Sequence, residues 1–125
     1  MNKITVLFLG ALFAGAVLAT SANANSLSCP EMVSSVQEID RSAKIDGAKK
    51  IAVVAHEDMA EYLSSTGQRP IPFEFEFLNV YHRPNSFLTF AAFLDSNGCV
   101  VKSQLPPLIV VETMLNWFKN REDEI

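Results

Sequence analysis

His56 and His82 are the two histidines of a 125-residue chain, and each follows a short run of strand-forming residues. His56 comes after Lys50–Ala55, which carries Ile51, Val53 and Val54; His82 comes after Val80-Tyr81. Glu57 and Asp58 follow the first ring, and Tyr81 and Arg83 flank the second. Two imidazoles and a carboxylate supply the nitrogen and oxygen donors that zinc and similar divalent ions take. That chemistry needs both rings at one rim of a sheet, which follows if the two strands are parallel neighbours. No dense spacing such as His-x-x-x-His accompanies them, so a surface or capping side chain is the plainer account of each. His56, His82 and Asp58 therefore stand as metal-ligand candidates under a topological condition, and nothing else in the chain calls for a metal or an organic cofactor.

Other reactive patterns are weaker. Glu74 and Glu76 project from one strand face together, and paired carboxylates do acid–base work only when their surroundings split their affinities for protons. On an exposed strand such a pair also discourages edge-to-edge aggregation. No Gly-x-Ser-x-Gly elbow is present. The glycines after residue 24 are the isolated Gly47, Gly67 and Gly98, which cannot cradle a phosphate as a cluster does. Lys44, Lys49 and Lys50 read as a solvated turn interrupted by Asp46. With 10 Lys+Arg against 14 Asp+Glu, the chain has a formal charge of -4 and lacks the clustered cations that nucleic-acid phosphates require.

The elements that hold these residues must fit into what remains after export. Lys3 makes a short positive start, Ile4 to Ala19 is mostly apolar, and Ala22-Asn23-Ala24 presents small residues where a signal peptidase reads them. Residues 1–24 are expected to be a cleaved signal peptide, and 25–125 a single small domain. The apolar run falls short of the ~20 residues that span a bilayer, and no later stretch is long enough, so no transmembrane span is expected after cleavage. A lone Lys with this cleavage pattern points to a bacterial protein that is periplasmic or secreted.

Cys29 and Cys99 are the only cysteines. An even count in a small exported chain reads as one disulfide. Closing a loop of roughly 70 residues is worth about 4 kcal/mol in the chain-entropy account. Lipidation of Cys29 is the rival, but Ser26 stands where a lipobox wants Leu and a polar stretch separates the cysteine from the apolar run. Redox catalysis favours cysteines two residues apart, which these are not.

Ser28-Cys29-Pro30-Glu31 has the form of a capping box, and Met32, Val36 and Ile39 recur at helical spacing, so a first helix is expected to about Ser42. Lys50 to Ala55 is the first strand. Asp58 is expected to cap a second helix with Met59, Tyr62 and Leu63 inward, stopping at Gly67. Pro70-Ile71-Pro72 forces extended chain. Phe73, Phe75 and Phe77 then alternate with Glu74 and Glu76 at the strand period. Arg83-Pro84-Asn85-Ser86 is a turn. Phe87 to Leu94 is apolar on both alternating sets, the pattern of a central strand covered twice. Asp95-Ser96-Asn97-Gly98 is a hairpin signal, with Cys99 to Ser103 returning. After Pro106-Pro107, residues Leu108, Val111, Leu115 and Phe118 mark a last helix to about Lys119, with a frayed tail from Arg121. The expected fold is α+β: a four-stranded, mostly antiparallel sheet packed with three helices, order α-β-α-β-β-β-α, with one disulfide.

The strand Lys50–Ala55, the helix with Ala60, Tyr62 and Leu63, the Pro70-Ile71-Pro72 entry, the strand leading to Asn97-Gly98-Cys99 and the later Pro106-Pro107 together resemble, in layout from about Cys29 to Leu115, a loose class of small exported Gram-negative proteins. That resemblance implies no activity and carries no functional residue.

Phenylalanine density between Phe73 and Phe93 is the most unusual feature. Core packing is the sober account, because each buried Phe contributes about 1.5–3 kcal/mol. If one sheet face exceeds what three helices cover, the surplus is a contact patch, with Phe73, Phe75, Phe77 and Trp117 as its candidates. The function these features imply is an exported, non-catalytic binding or interaction domain, more a binding domain than an enzyme, engaging another exported protein or an envelope component. The alternatives are a small metal-dependent or acid–base enzyme using His56 and His82, and a homodimerising structural envelope protein.

Overall fold

The computed structural model describes residues 29–123. The expected leader, its cleavage site and Ser28 lie outside the described residues. Three helices and a four-stranded antiparallel sheet follow one another as α-β-α-β-β-β-α: α1 (Val36–Ile45), β1 (Lys49–Ala55), α2 (His56–Ser65), β2 (Phe77–His82), β3 (Phe90–Leu94), β4 (Val100–Gln104) and α3 (Leu108–Asp123). The strands lie side by side in sequence order.

A disulfide joins Cys29 to Cys99 across 70 positions of sequence. Beside it, Ser35 pairs with Cys99 in an isolated antiparallel bridge; Val36 N–H donates to the Gly98 carbonyl at 2.7 Å and Val100 N–H to that of Ser34 at 2.9 Å. These bonds keep the chain extended to Ser35, so the first helix starts there and not after Ser28. Its capping box is Ser35-x-x-Glu38: the Glu38 N–H donates to Ser35 Oγ, and the Ser35 N–H to Glu38 Oε1 at 2.8 Å. Pro30 to Val33 is a turn, with Met32 at a φ of 70° and almost wholly exposed.

β1 and β2 are antiparallel, with Ala55 opposite Phe77 and Lys49 opposite His82. The helical crossover to a parallel neighbour is therefore replaced by a longer return. α2 runs back over the sheet and ends in a glycine motif, where Gly67 (φ 72°) lets the Gln68 N–H reach the Leu63 carbonyl at 2.8 Å. Residues 68–76 then carry the chain back to the end that β1 left, anchored by Phe73 and Phe75. Asp58 does not cap α2; Ala55 occupies the cap position and Asp58 sits buried in the first turn.

The strand expected from Phe73 begins only at Phe77. Phe73 and Phe75 point into the core, but a kink at Glu76 shifts the phase by one residue. Leu78 and Val80 thus join the core face while Phe77, Asn79 and Tyr81 turn to the other. The 95–98 hairpin has only Gly98 at positive φ; the Gly98 N–H donates to the Asp95 carbonyl and the Asp95 N–H to that of Cys99. Asp95 Oδ1 also accepts the Asn97 and Cys99 N–H groups, each at 2.9 Å. β1 and β4 are the edges; β1 carries Lys49 and Lys50, β4 carries Lys102, and each has a register shift in its pairing, devices that blunt an edge.

The core lies on one face. Ala52, Val54, Leu78, Val80, Ala91 and Phe93 from the sheet meet Tyr62 and Leu63 of α2 and Val111, Met114 and Phe118 of α3. Phe93 takes the rings of Phe73 and Phe75 edge-on, both at 5.0 Å between centroids. α3 outruns the expected stop at Lys119, because Arg121 lies 4.8 Å over the Trp117 ring and its Nη2 donates to Glu61 Oε2 at 2.6 Å.

α1 lies over the opposite face and buries none of its own residues fully. Its half-buried Val36, Ile39, Asp40 and Ala43 recur at helical spacing toward the sheet. The Tyr81 hydroxyl, buried on that face, donates to Asp40 Oδ1 at 2.5 Å and accepts from Asn79 Nδ2 at 3.3 Å. Lys50 Nζ stands 3.3 Å from the same carboxylate. Burial, reinforced by the Asp40 hydrogen bond, raises the Tyr81 hydroxyl well above its ordinary pKa. No described helix is long and apolar enough to cross a membrane.

Candidate functional site

Antiparallel pairing decides where the histidines go. His56 leaves β1 at the end where Phe77 enters β2, and its N–H donates to the Glu76 carbonyl at 2.9 Å. His82 closes β2 at the other end, opposite Lys49. The parallel arrangement on which a shared metal site depended is not the one present, and the two rings occupy opposite ends of the sheet. The His56 ring packs edge-on against Phe75 at 4.9 Å. His82 Nε2 donates to the Ser86 carbonyl at 3.0 Å, so that nitrogen carries a hydrogen. Among the described residues, no three His, Cys, Asp or Glu side chains form a group able to hold a metal ion. Both thiols are in the disulfide.

The four candidate patch residues are placed unequally. Phe75 is buried in the core and Phe73 is half-buried against it. Trp117 is half-buried too, edge-on to Tyr62 at 5.4 Å and covered by Arg121. Phe77 is 40 % exposed at the entrance of β2. Three of the four thus serve folding first.

Apart from residues such as Met32 and Ile45, much of the exposed apolar surface lies on two other segments. Phe87 is 90 % exposed, Ile109 67 %, Leu105 62 % and Val110 53 %, with Leu88 just under half exposed. Two segments carry them, 87–88 before β3 and 105–110 at the entry of α3, and backbone bonds clamp these together. Leu88 bridges Pro107; the Leu108 N–H donates to the Phe87 carbonyl at 2.7 Å. The Pro106 carbonyl accepts both the Thr89 N–H and the Thr89 hydroxyl, each at 2.9 Å, and Thr89 is buried. On the other side, Asn85 at a φ of 67° closes the turn, and Ser86 Oγ exchanges bonds with the Leu88 backbone at 3.1 and 3.2 Å. The result is an apolar ridge whose backbone is fixed while its side chains stand in solvent.

The sequence carried a signal for this ridge that the stripe argument passed over. Val111, Met114 and Phe118 form the inward face of α3, so Ile109 falls on the side where a surface helix ordinarily places polar side chains, while Val110, four residues before Met114, sits at the margin of the inward stripe. Phe87 and Leu88 were counted with the central strand, but β3 starts at Phe90 because Thr89 is tied to Pro106 and not to a strand neighbour.

Two hollows flank these features. One, of about 340 Å³, is lined by Leu88, Leu105, Phe90, Thr89, Tyr81, Ser86, Ala48, Arg83 and Asp46. The other is an open groove of about 620 Å³ between α2 and the returning segment, with Met59, Leu63, Ile71 and Phe75 as its apolar wall and His56, Ser64 and Gln68 at its polar margins. No protein-family model, curated protein or solved structure matches the chain.

Proposed function

We propose that this protein is an exported, non-catalytic interaction domain that engages an exported or envelope protein through the ridge of Phe87, Leu88, Leu105, Ile109 and Val110. The observation that carries this reading is the contrast between fixed backbone and exposed side chain along the ridge. Large exposed apolar side chains gathered on neighbouring segments are a mark of a contact surface. Holding it on clamped segments lowers the ordering cost of association. The apolar leader pattern at residues 1–24 and a disulfide that suits an oxidising compartment support the exported, periplasmic or secreted part of the reading.

A photoreactive phenylalanine analogue placed at position 87 in the producing cell tests this. A discrete protein adduct is expected from position 87, and none from the same analogue at position 77, at the far end of β2. No adduct at 87, or equal adducts at both positions, contradicts the reading.

A further inference from the structure

A smaller hollow of about 140 Å³ lies between α2, α3 and the core face of the sheet. Val80 and Ala91, paired across β2 and β3, form part of its floor, and Leu63, Val111 and Met114 are among its walls. Val80 and Ala91 are smaller than the neighbouring floor pair, Leu78 and Phe93, which leaves the space. Packed interiors hold few voids larger than a water molecule, and an apolar hollow of this size takes up small apolar guests. The hollow adjoins the 620 Å³ groove: Met59, Leu63 and Gln68 line both. Met59 and Leu63 stand one turn apart on α2, so the shared wall is a stripe of that helix. Met59 is only partly buried, and its unbranched side chain is the adaptable part of the wall. Together the two cavities run along α2, from Gln104 beside Ala91 to His56 beyond Ala55 at the other end of the sheet.

We infer that this cleft is a second binding site, for a small amphipath with one unbranched hydrocarbon chain and an uncharged, hydrogen-bonding head. The narrow inner hollow takes the end of the chain, and the wider groove takes the rest of it and the head. The combined lining has the make-up of a ligand site, mostly apolar with a few polar groups at one end. Charge decides the class of head. Among the described residues, no Asp, Glu, Lys or Arg lines the hollow or the groove. A charged head would therefore give up water without gaining a counter-charge. Hydrogen-bonding groups are present instead. The Thr66 hydroxyl donates to the Tyr62 carbonyl at 2.7 Å, so it accepts from Gln68 Nε2 at 2.8 Å. That fixes the orientation of the Gln68 amide and leaves its oxygen to accept from a hydroxyl or an N–H. The His56 imidazole and the Ser64 hydroxyl offer further partners along the groove. Of the five ridge residues, Val110 alone lines the cleft, so this site and the ridge stand or fall separately.

Methyl NMR on the protein as the producing cell processes it tests the inference, with octanol, octanoate and octylammonium titrated separately at neutral pH. Octanol is expected to give saturable shifts at Met59, Leu63, Val80 and Met114 and none at Ile109. Octanoate and octylammonium are expected to bind at least about ten-fold more weakly, because their charges find no partner in the lining. Met59→Trp, which fills the junction of hollow and groove, is expected to weaken octanol at least about ten-fold. Gln68→Leu, at an exposed residue whose loss leaves the core intact, is expected to weaken it about five-fold through the lost acceptor. Absence of saturable shifts up to the solubility limit of octanol overturns the inference. So do shifts centred on Ile109 with none at Val80, charged chains that bind as tightly as octanol, and octanol binding that Gln68→Leu does not weaken. The photoreactive analogue at position 87 reports on the ridge alone, so its result does not bear on the cleft.

Discussion

Phe93 and Phe87 belong to one apolar run, and their surroundings are opposite. Phe93 is 4 % exposed and receives two other phenylalanine rings edge-on, with Leu78 across the strand pair. Phe87 is 90 % exposed, and its backbone, not its ring, is what the structure holds. The aromatic cluster around Phe93 accounts for folding: three phenylalanines, Tyr62 and Phe118 close one face of the sheet under α2 and α3. The ridge around Phe87 adds nothing to that closure. Equal hydrophobicity has thus been used in two ways, and the proposed partner concerns only the second.

Substitution separates the two regions on a stability scale. Phe93→Ala is expected to cost about 3–5 kcal/mol, the range for emptying an aromatic site in a packed core. Phe87→Ala is expected to fall within about 0.5 kcal/mol of the parent, as surface changes do. Denaturant unfolding of both variants measures the gap. A Phe87→Ala loss comparable to that of Phe93→Ala would move the ridge into the core and remove the contrast.

The disulfide comes next in size. Replacing Cys29 and Cys99 together by Ser is expected to cost about 2–4 kcal/mol. The loss should be uneven in space. α1 contributes nothing to the core cluster and is held by the disulfide, by the bonds around Ser35 and by the Asp40 network. Hydrogen exchange in the double variant should therefore rise first in α1, while amides of α2 and α3 stay protected until global unfolding. Uniform loss of protection would mean that the two faces of the sheet unfold as one unit.

Tyr81→Phe comes last, at about 1–3 kcal/mol: Asp40 keeps Lys50, but the buried Asn79 amide loses the hydroxyl it donates to. Its sharper consequence is in pH. Below the ordinary tyrosine value of about 10 the hydroxyl is protonated whether the chain is folded or not, so it adds no pH dependence. Above it the unfolded chain loses this proton while the folded chain keeps it, so stability falls as pH rises. Comparison of unfolding curves near pH 8 and about pH 10.5 should show a steeper alkaline loss in the parent than in Tyr81→Phe. Equal slopes would place the Tyr81 hydroxyl in water.

Much of this architecture is legible in the amino-acid order. Element order, the disulfide, the stop at Gly67 and the turn before Cys99 follow from local rules that the packing respects. Strand direction does not. Whether β1 and β2 run parallel depends on where residues 68–76 are carried, and that is set by Phe73 and Phe75 docking on α2 and β3, a long-range event without local periodicity. The same docking moves the start of β2 to Phe77. The helix start moved from Ser28 to Ser35 for a related reason: both positions offer a capping box, and the bridge to Cys99 selects the second. At the candidate site, counting apolar residues found the surplus but assigned it to Phe73, Phe75 and Trp117. Its location at Phe87, Leu105 and Ile109 depends on Thr89 being tied to Pro106, a contact across 17 positions.

The central claim is that the ridge is a covered contact surface in the native protein and a bare one in the isolated chain. Hydroxyl-radical footprinting measures this directly, on protein in the intact producing cell and on the same protein purified and diluted. The account predicts that Phe87, Leu105 and Ile109 are protected in the cell and become reactive on dilution, while Met32 reacts alike in both. Equal reactivity of Phe87 and Ile109 in the two states would contradict it.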